Sequence, residues 1–226
     1  MWLRRHLRMG RVRTLDAGCG NGAFSIYAAL CGNDVLAASF SPREQEDARR
    51  RAQTLGVGGI DFRTLDLREI ESQRDSVGLF DQIICFETIE HLTDDEGLVG
   101  SLASMLAPGG QLLLTTPYQG HRPLYTEDPD PSPVEDGSHV RYGYTPERLR
   151  EIAEGAGLVV GSEGFISGVV SQKLTDLMRR LSARLGRLAG WAIVLPLRPL
   201  VVLDEPLTRM LGYPYLSVAL SAVKRG

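Results

Sequence analysis

Cysteine is scarce in this chain of 226 residues: it occurs at Cys19, Cys31 and Cys85, and no two form a C-x-x-C pair. That spacing excludes a zinc knuckle, and three isolated thiols suit a reducing compartment. Cys19 and Cys85, in or beside expected strands, read as small core residues. Lysine is scarcer still, present at Lys173 and Lys224 only. Neither follows a tyrosine by four positions, since Val169 and Leu220 stand there, so a Tyr-x-x-x-Lys hydride-transfer site is excluded. Long apolar runs are missing too. The most apolar stretch, residues 188–203, is broken by Pro196, Arg198 and Pro199, which leaves no transmembrane span. Arg4, Arg5, Arg8, Arg11 and Arg13 leave no apolar stretch for a secretory leader. A cytoplasmic location is therefore expected. The arginines themselves read as a solvated helix face leading into the first strand. A large charge of either sign is also absent: the net charge is −3, which gives the chain as a whole no pull toward nucleic acid. No internal repeat or low-complexity segment is present.

What remains has the balance of a globular protein, 43% hydrophobic and 23% charged, and we expect one α/β domain over residues 1–226. The chain is organised around one stretch. Residues 12–17 read as a short buried strand, Gly18, Gly20 and Gly22 follow at alternate positions, and residues 23–30 read as a helix. Strand, glycine turn and helix open a nucleotide-binding unit: the glycines allow a tight turn, close backbone approach to a ligand and close packing of helix on strand. The helix N-terminus adds free N–H groups and partial positive charge. The stretch alone leaves the ligand open, because Gly18-x-Gly20-x-x-Ala23 also satisfies a loose dinucleotide fingerprint.

Residues 1–10 suggest a short helix, and 35–38 a second strand. Ser41 as N-cap, Pro42 in the first turn and Glu44 at the capping-box position start a helix that Gly56 ends. Residues 60–65 and 80–86 are expected strands, the latter apolar enough to be buried on both faces. A helix capped within residues 93–96 should end near Ala107, Pro108-Gly109-Gly110 should turn, and 111–116 should form a fifth strand. Residues 117–145 read as a long loop, of the kind that forms lids and binding loops. A helix opens at Thr145-Pro146, a strand at Leu158, and residues 215–223 form a closing strand, with a helical, apolar, arginine-dotted excursion over 166–213. Alternation of strand and helix implies a doubly wound, mostly parallel sheet.

Asp16-x-Gly18-x-Gly20-x-Gly22, Pro108-Gly109-Gly110 before an apolar strand, and Glu87-x-x-Glu90-His91 together resemble the class I S-adenosylmethionine-dependent methyltransferases. The last motif is similar to that of the group containing ubiquinone-biosynthesis O-methyltransferases. The resemblance implies a Rossmann-like sheet of seven strands in the order 3-2-1-4-5-7-6, the last antiparallel. It implies S-adenosylmethionine as cofactor, held by Asp16, Gly18, Cys19, Gly20, Asn21 and Gly22 at the first turn and by Ser39, Phe40, Asp66, Leu67, Phe86 and Glu87 at later strand ends. One departure stands out. The family carries an acid after the second strand to bind the ribose hydroxyls, and this chain has Ser39. Either affinity is lower, or another group reaches the ribose. Ser39 followed by Arg43 also keeps an NADP-binding oxidoreductase as a rival, and a catalytically degenerate binding protein as another. Asp66 is either the acceptor for the adenine amino group or a turn residue.

Glu87, Glu90 and His91 share one face of a helical turn and can converge. The resemblance offers two roles. In one, His91 is the base or orienting group for an acceptor hydroxyl, supported by Glu87 and Glu90. In the other, Glu87, Glu90 and His91 bind a divalent ion, Mg²⁺ or Mn²⁺, with His139 or His121 completing the set. The expected reaction is O-methylation of a small-molecule acceptor such as a natural product, sugar or quinone-like compound. Tyr118, His121, Arg122, Tyr125, His139, Arg141, Tyr142 and Tyr144 in the long loop suggest recognition of a polar acceptor. The excursion over 166–213 covers the acceptor, forms a homodimer surface or touches lipid.

Overall fold

The computed structural model describes residues 2–121 and 130–226. Seven strands form one sheet: β1 (Arg13–Ala17), β2 (Asp34–Ser39), β3 (Ile60–Thr64), β4 (Phe80–Phe86), β5 (Leu106–Pro117), β6 (Leu158–Ile166) and β7 (Ser217–Lys224). Their order is β3-β2-β1-β4-β5-β7-β6, with β7 antiparallel to both neighbours, as the resemblance implies. The helices are α1 (Trp2–His6), α2 (Ala23–Leu30), α3 (Pro42–Thr54), α4 (Arg74–Val77), α5 (Asp95–Ser104), α6 (Pro146–Gly155), α7 (Val169–Leu185), α8 (Arg187–Val194) and α9 (Asp204–Leu211). The two central strands are buried on both faces: Leu15, Ala17, Ile83, Ile84 and Cys85 are fully buried, and so are Thr14 and Asp16 on the second face of β1. Layers of helix on each side are the arrangement such strands require.

Local chemistry sets the helix ends. The Ser41 hydroxyl accepts from the Glu44 N–H at α3, Asp94 accepts from the Gly97 N–H at α5, and Thr145 accepts from the Arg148 N–H at α6. At the first turn, Gly18 has φ +83° and a Cβ there would collide with the Thr88 side chain, while Gly22 has φ +74° and its Cβ would lie 2.8 Å from that of Ala48. Both positions need glycine for conformation and for close approach.

The turn expected at residues 108–110 is a bulge. β5 begins earlier, at Leu106 opposite Phe80, and resumes pairing at Gln111 opposite Gln82, so the Pro-Gly-Gly segment loops out within one strand. Gly109 supplies φ +73° there, and Gly110 lies against the Ala107 and Phe80 carbonyls. The N-terminal arginines are also tied down rather than merely solvated. Arg8 donates to the Asp81 carbonyl at 3.1 Å and the Gly109 carbonyl at 2.8 Å, and Arg13 donates to the carbonyls of Val77 and Leu79. Beneath them is a buried polar chain. Gln82 Nε2 donates to Thr14 Oγ1 and Asn33 Oδ1, Gln82 Oε1 accepts from Gln111 Nε2 at 2.8 Å, and Asn33 Nδ2 donates to the Arg8 and Gly10 carbonyls. The links join β1, β4, β5, the start of β2 and the segment between α1 and β1, so the network fixes the amino edge of the sheet. The other edge, at the carboxyl ends of the parallel strands, is where an open α/β sheet binds its ligand.

Candidate active site

The carboxyl edge carries a cleft of about 360 Å³, lined among others by Gly18, Gly20, Ser39, Phe40, Glu44, Asp66, Leu67, Glu87, Thr88 and His91. Its size lies in the range of small-molecule sites. Gly18, Gly20, Ser39, Phe40, Asp66, Leu67, Glu87 and His91 are thus brought together as the sequence suggested. Asp16, Cys19, Asn21, Gly22 and Phe86 stand outside the lining. Asp16 is buried under the turn and accepts from Ser25 Oγ at 2.5 Å. Burial pushes its carboxyl up to about 6, the Ser25 hydrogen bond offsetting only part of that. Burial likewise pushes the Cys19 thiol up to about 12, helped by the Asp16 and Glu44 charges, so it is a packed thiol and no nucleophile. Asn21 Oδ1 accepts from the Ala23 N–H and from Arg51, which makes it part of the α2 start. Phe86 packs edge-on against Phe24, with ring centroids 4.8 Å apart, and contacts Trp2 on its other side.

Sequence reasoning missed Glu44. Read as a capping-box residue, its side chain should return to the Ser41 N–H. Instead Ser39 Oγ donates to Glu44 Oε2 at 2.7 Å, and Ser39 Oγ itself accepts from the Ser41 N–H at 3.2 Å. The carboxylate therefore stands over the end of β2, in the cleft wall, where the family carries an acid on the strand itself. The signal was in the sequence: an acid one helical turn into α3, after a small residue at the strand end.

Asp66 starts the 3₁₀ turn Leu67–Gln73 and accepts from the Arg68 backbone N–H at 3.0 Å. The Arg68 guanidinium grips the same carboxylate and holds it below the usual range, mainly by hydrogen bonding. Arg68 also donates to Glu135 Oε2 at 2.9 Å, and Glu135 accepts from both the N–H and the hydroxyl of Thr93. A residue of the long loop thereby links the two walls of the cleft.

The second acid-rich stretch is not one helical face. Glu87 is left-handed, with φ +50°, a conformation a non-glycine residue adopts only when its surroundings impose it. A 3₁₀ turn, Ile89–His91, follows. Glu87 faces β5 and β7, accepting from Thr115 Oγ1 at 2.9 Å and Ser217 Oγ at 3.3 Å. The residue is exposed at the cleft, and desolvation of its carboxyl end against β5 and β7 holds it above the usual range. Glu90 is fully buried behind His91. Desolvation, and then the charge of Glu87, raise it well above the ordinary value. Thr116 Oγ1 donates to Glu90 Oε2 at 3.1 Å, while Glu90 Oε1 has no hydrogen-bond partner among the described residues. His91 Nδ1 lies 3.0 Å from the Ser138 carbonyl. A carbonyl only accepts, so Nδ1 carries the proton and the lone pair is on Nε2. Nε2 is 4.0 Å from Glu90 Oε1, and the His139 ring stands edge-on to that of His91 at 4.7 Å.

Glu90, His91 and His139 each present a ligand atom within 4.8 Å of the others. An unpartnered buried carboxylate oxygen beside two imidazoles fits a divalent cation. Glu87 is not in this group, which narrows the acid pair expected from the sequence to one member.

Several loop residues read as acceptor contacts make contacts within the fold. Arg141 pairs with Asp95 and donates to the Leu92 and Thr93 carbonyls at 2.8 and 2.9 Å. Tyr144 is buried, its hydroxyl donating to Asp95 Oδ2 at 2.9 Å. Tyr118 packs on Phe165, Tyr142 donates to Asp130, and His121 Nδ1 lies 2.6 Å from the Tyr118 carbonyl. Arg122 and Tyr125 lie outside the described residues.

Ubiquinone biosynthesis O-methyltransferase of Xanthomonas euvesicatoria pv. vesicatoria (strain 85-10) is 34% identical over 110 residues, which is 49% of this chain and 45% of that protein. Its counterpart in Xanthomonas axonopodis pv. citri (strain 306) is 35% identical over 104 residues, covering 46% of this chain and 42% of the relative. The chain thus spans about half the length of the relatives it matches. Among solved structures, the [4+2]-cyclase SpnF superposes with a TM-score of 0.63 at 21% identity, covering 99% of this chain and 78% of the cyclase. Magnesium protoporphyrin IX methyltransferase of Synechocystis PCC 6803, solved with bound S-adenosylmethionine, gives 0.59 at 19% identity, over 99% and 74% of the two chains. These structures share the fold. The family described as a methyltransferase domain matches residues 4–163, a span that holds the glycine turn, every lining residue of the cleft, and the Glu90–His91–His139 cluster. On that match the chain belongs to the methyltransferase domain family.

Proposed function

We propose that this chain transfers a methyl group from S-adenosylmethionine to a hydroxyl of a small acceptor. The observation that carries the reading is that one cleft runs from the glycine turn to His91. Family membership, and relatives named as O-methyltransferases, support the cofactor and the oxygen acceptor. In this reading the cofactor lies along the turn. Glu44 accepts from the ribose hydroxyls in place of a strand-end acid, with Ser39 holding its carboxylate. Asp66 accepts from the adenine amino group, and Leu67 packs on the ring.

The chemistry asks little covalent work of the protein. The acceptor oxygen attacks the methyl carbon, the carbon–sulfur bond breaks toward sulfur, and the sulfonium becomes a neutral thioether. Catalysis is positioning plus removal of the acceptor proton. His91 Nε2, with its lone pair fixed by the Nδ1–Ser138 contact, takes that proton. Glu87 orders the wall where the acceptor enters. A divalent ion held by Glu90, His91 and His139 would be the alternative means of lowering the acceptor hydroxyl pKa, with His91 Nε2 then a ligand and not the base; the unpartnered Glu90 oxygen is the observation that favours it.

The test is release of S-adenosylhomocysteine from S-adenosylmethionine in the presence of a panel of hydroxylated aromatic acceptors, with and without a chelator. We expect acceptor-dependent release. His91→Ala should slow it by about 10²- to 10⁴-fold, the usual range for a lost general base, with cofactor affinity unchanged. Unchanged turnover in a folded His91→Ala protein would remove His91 from the mechanism. Loss of turnover with chelator, restored by Mn²⁺, would favour the metal role over the base.

A further inference from the structure

The excursion between β6 and β7 is fixed at its base and apolar at its far end. At the base, Asp204 caps α7, accepting from the Gly168 and Val170 N–H groups at 2.9 and 2.8 Å, and Gln172 donates to the Ser167 and Pro214 carbonyls. Farther out, α8 buries only Gly190 and Val194, and the 3₁₀ segment Leu195–Leu203 buries nothing. Leu188 is 89% exposed, Val202 80%, Leu195 61% and Leu185 58%, and Trp191 and Ile193 are exposed beside them. Monomeric proteins rarely leave that much contiguous apolar surface in water without a use for it. None of these residues lines the cleft.

Charge identifies the occupant. Residues 177–203 contain Arg179, Arg180, Arg184, Arg187 and Arg198 and no aspartate or glutamate, although the whole chain is net negative at −3. Arg184 and Arg187 have no acidic partner among the described residues, and the Arg198 guanidinium lies 5.6 Å over the Trp191 ring. The flanking acids are engaged, Asp176 with Arg180, Asp204 with the start of α7 and Glu205 with Arg209, and leucine, valine and tryptophan side chains rimmed by arginine match an anionic membrane surface: the apolar groups enter the headgroup boundary and the guanidinium groups meet phosphate. A second copy of this chain fits poorly, because a two-fold interface would set arginine against arginine. Among the described residues no helix is long and apolar enough to cross a membrane, so the segment lies on the surface.

We propose that α8 and the Leu195–Leu203 segment dock this protein on an anionic lipid bilayer. The excursion leaves the sheet at Ile166 and returns at Ser217, which pair with one another at the edge that holds the cleft. Docking therefore involves the acceptor side of the molecule. The proposal does not depend on the identity of the cofactor.

The test is flotation of the full chain with vesicles of phosphatidylcholine alone and of phosphatidylcholine with phosphatidylglycerol. We expect a preference of about tenfold or more for the anionic vesicles, reduced by salt. Arg184→Gln with Arg187→Gln should lose about fivefold per charge on anionic vesicles. Leu188→Glu with Val202→Glu should lose about tenfold or more. All four positions are exposed, so the variants should melt like the parent. Failure to bind either vesicle, or binding that neither variant weakens, would overturn the proposal. So would a concentration-dependent dimer that Leu188→Glu dissolves, since that assigns the surface to a second copy.

Discussion

Glu44 carries the sharpest residue-scale consequence. A carboxylate accepting two hydroxyls makes charge-assisted hydrogen bonds, each worth roughly 1.5–3 kcal/mol, and serine at the strand end cannot replace them. Glu44→Ala should therefore weaken binding of S-adenosylhomocysteine by about tenfold or more in calorimetry. The thermal transition should hardly move, since the side chain is exposed. Unchanged affinity would mean that the ribose is held elsewhere. Asp16 makes a prediction about pH. Its carboxyl titrates near 6 in the folded chain against an ordinary 3.8. Between those values the folded state holds the proton more than the unfolded state does. Its contribution to stability therefore falls as pH rises through that window and stays at its lowest above it. Asp16→Asn should then be more stable than the parent at pH 7.5 by about 2–3 kcal/mol, the difference shrinking toward zero below pH 4. Urea melts across pH measure this. A gap that does not vary with pH would show that Asp16 titrates normally.

At the scale of elements, the described part of the long loop is a strap. Arg141 and Tyr144 tie its end to α5 through Asp95, and Glu135 ties its middle to Thr93 and Arg68 across the cleft. Arg141→Ala leaves the buried Asp95 carboxylate with the Glu96 N–H, the Tyr144 hydroxyl and a distant Arg148, 3.9 Å away, but no close cation. We expect a loss of about 2–3 kcal/mol, less than for a fully dry pair because Arg141 is partly exposed. Proteolysis within residues 130–144 should become faster. An unchanged denaturation midpoint and cleavage rate would refute the strap. This element also shows where sequence reading stops. The loop could be recognised by its length and composition. That its arginine and buried tyrosine serve Asp95, forty-six and forty-nine positions earlier, depends on contacts that no local pattern encodes. The Pro108–Gly110 bulge is similar: proline and glycine signal a turn, but only the partner strand decides whether the chain turns or bulges.

For the whole molecule, periodicity was enough to place most strands and helices, because a parallel sheet demands apolar strands and capped helices in alternation. β4 runs over the residues read from sequence, 80–86, and the α3 and α6 starts lie at their capping residues. The strand order came from family resemblance, since pairing across the sheet leaves no mark on periodicity. Polar residues with remote partners were illegible. Gln82 is fully buried because Thr14, Asn33 and Gln111 surround it. Lys224 is held because it donates to the Ala103, Ser104 and Leu106 carbonyls at the end of α5. The candidate site was legible where backbone dictates it, at Gly18 and Gly20, and where a strand ends, at Asp66 and His91. The left-handed backbone of Glu87 has no sequence signature.

The proposed activity turns on the occupant of the cleft, and calorimetric titration of the purified chain with S-adenosylhomocysteine tests it most directly. The account predicts a one-to-one complex of micromolar affinity that Glu44→Ala weakens. Absence of binding with the protein folded, with or without Mn²⁺, would contradict the proposed activity while leaving the fold intact.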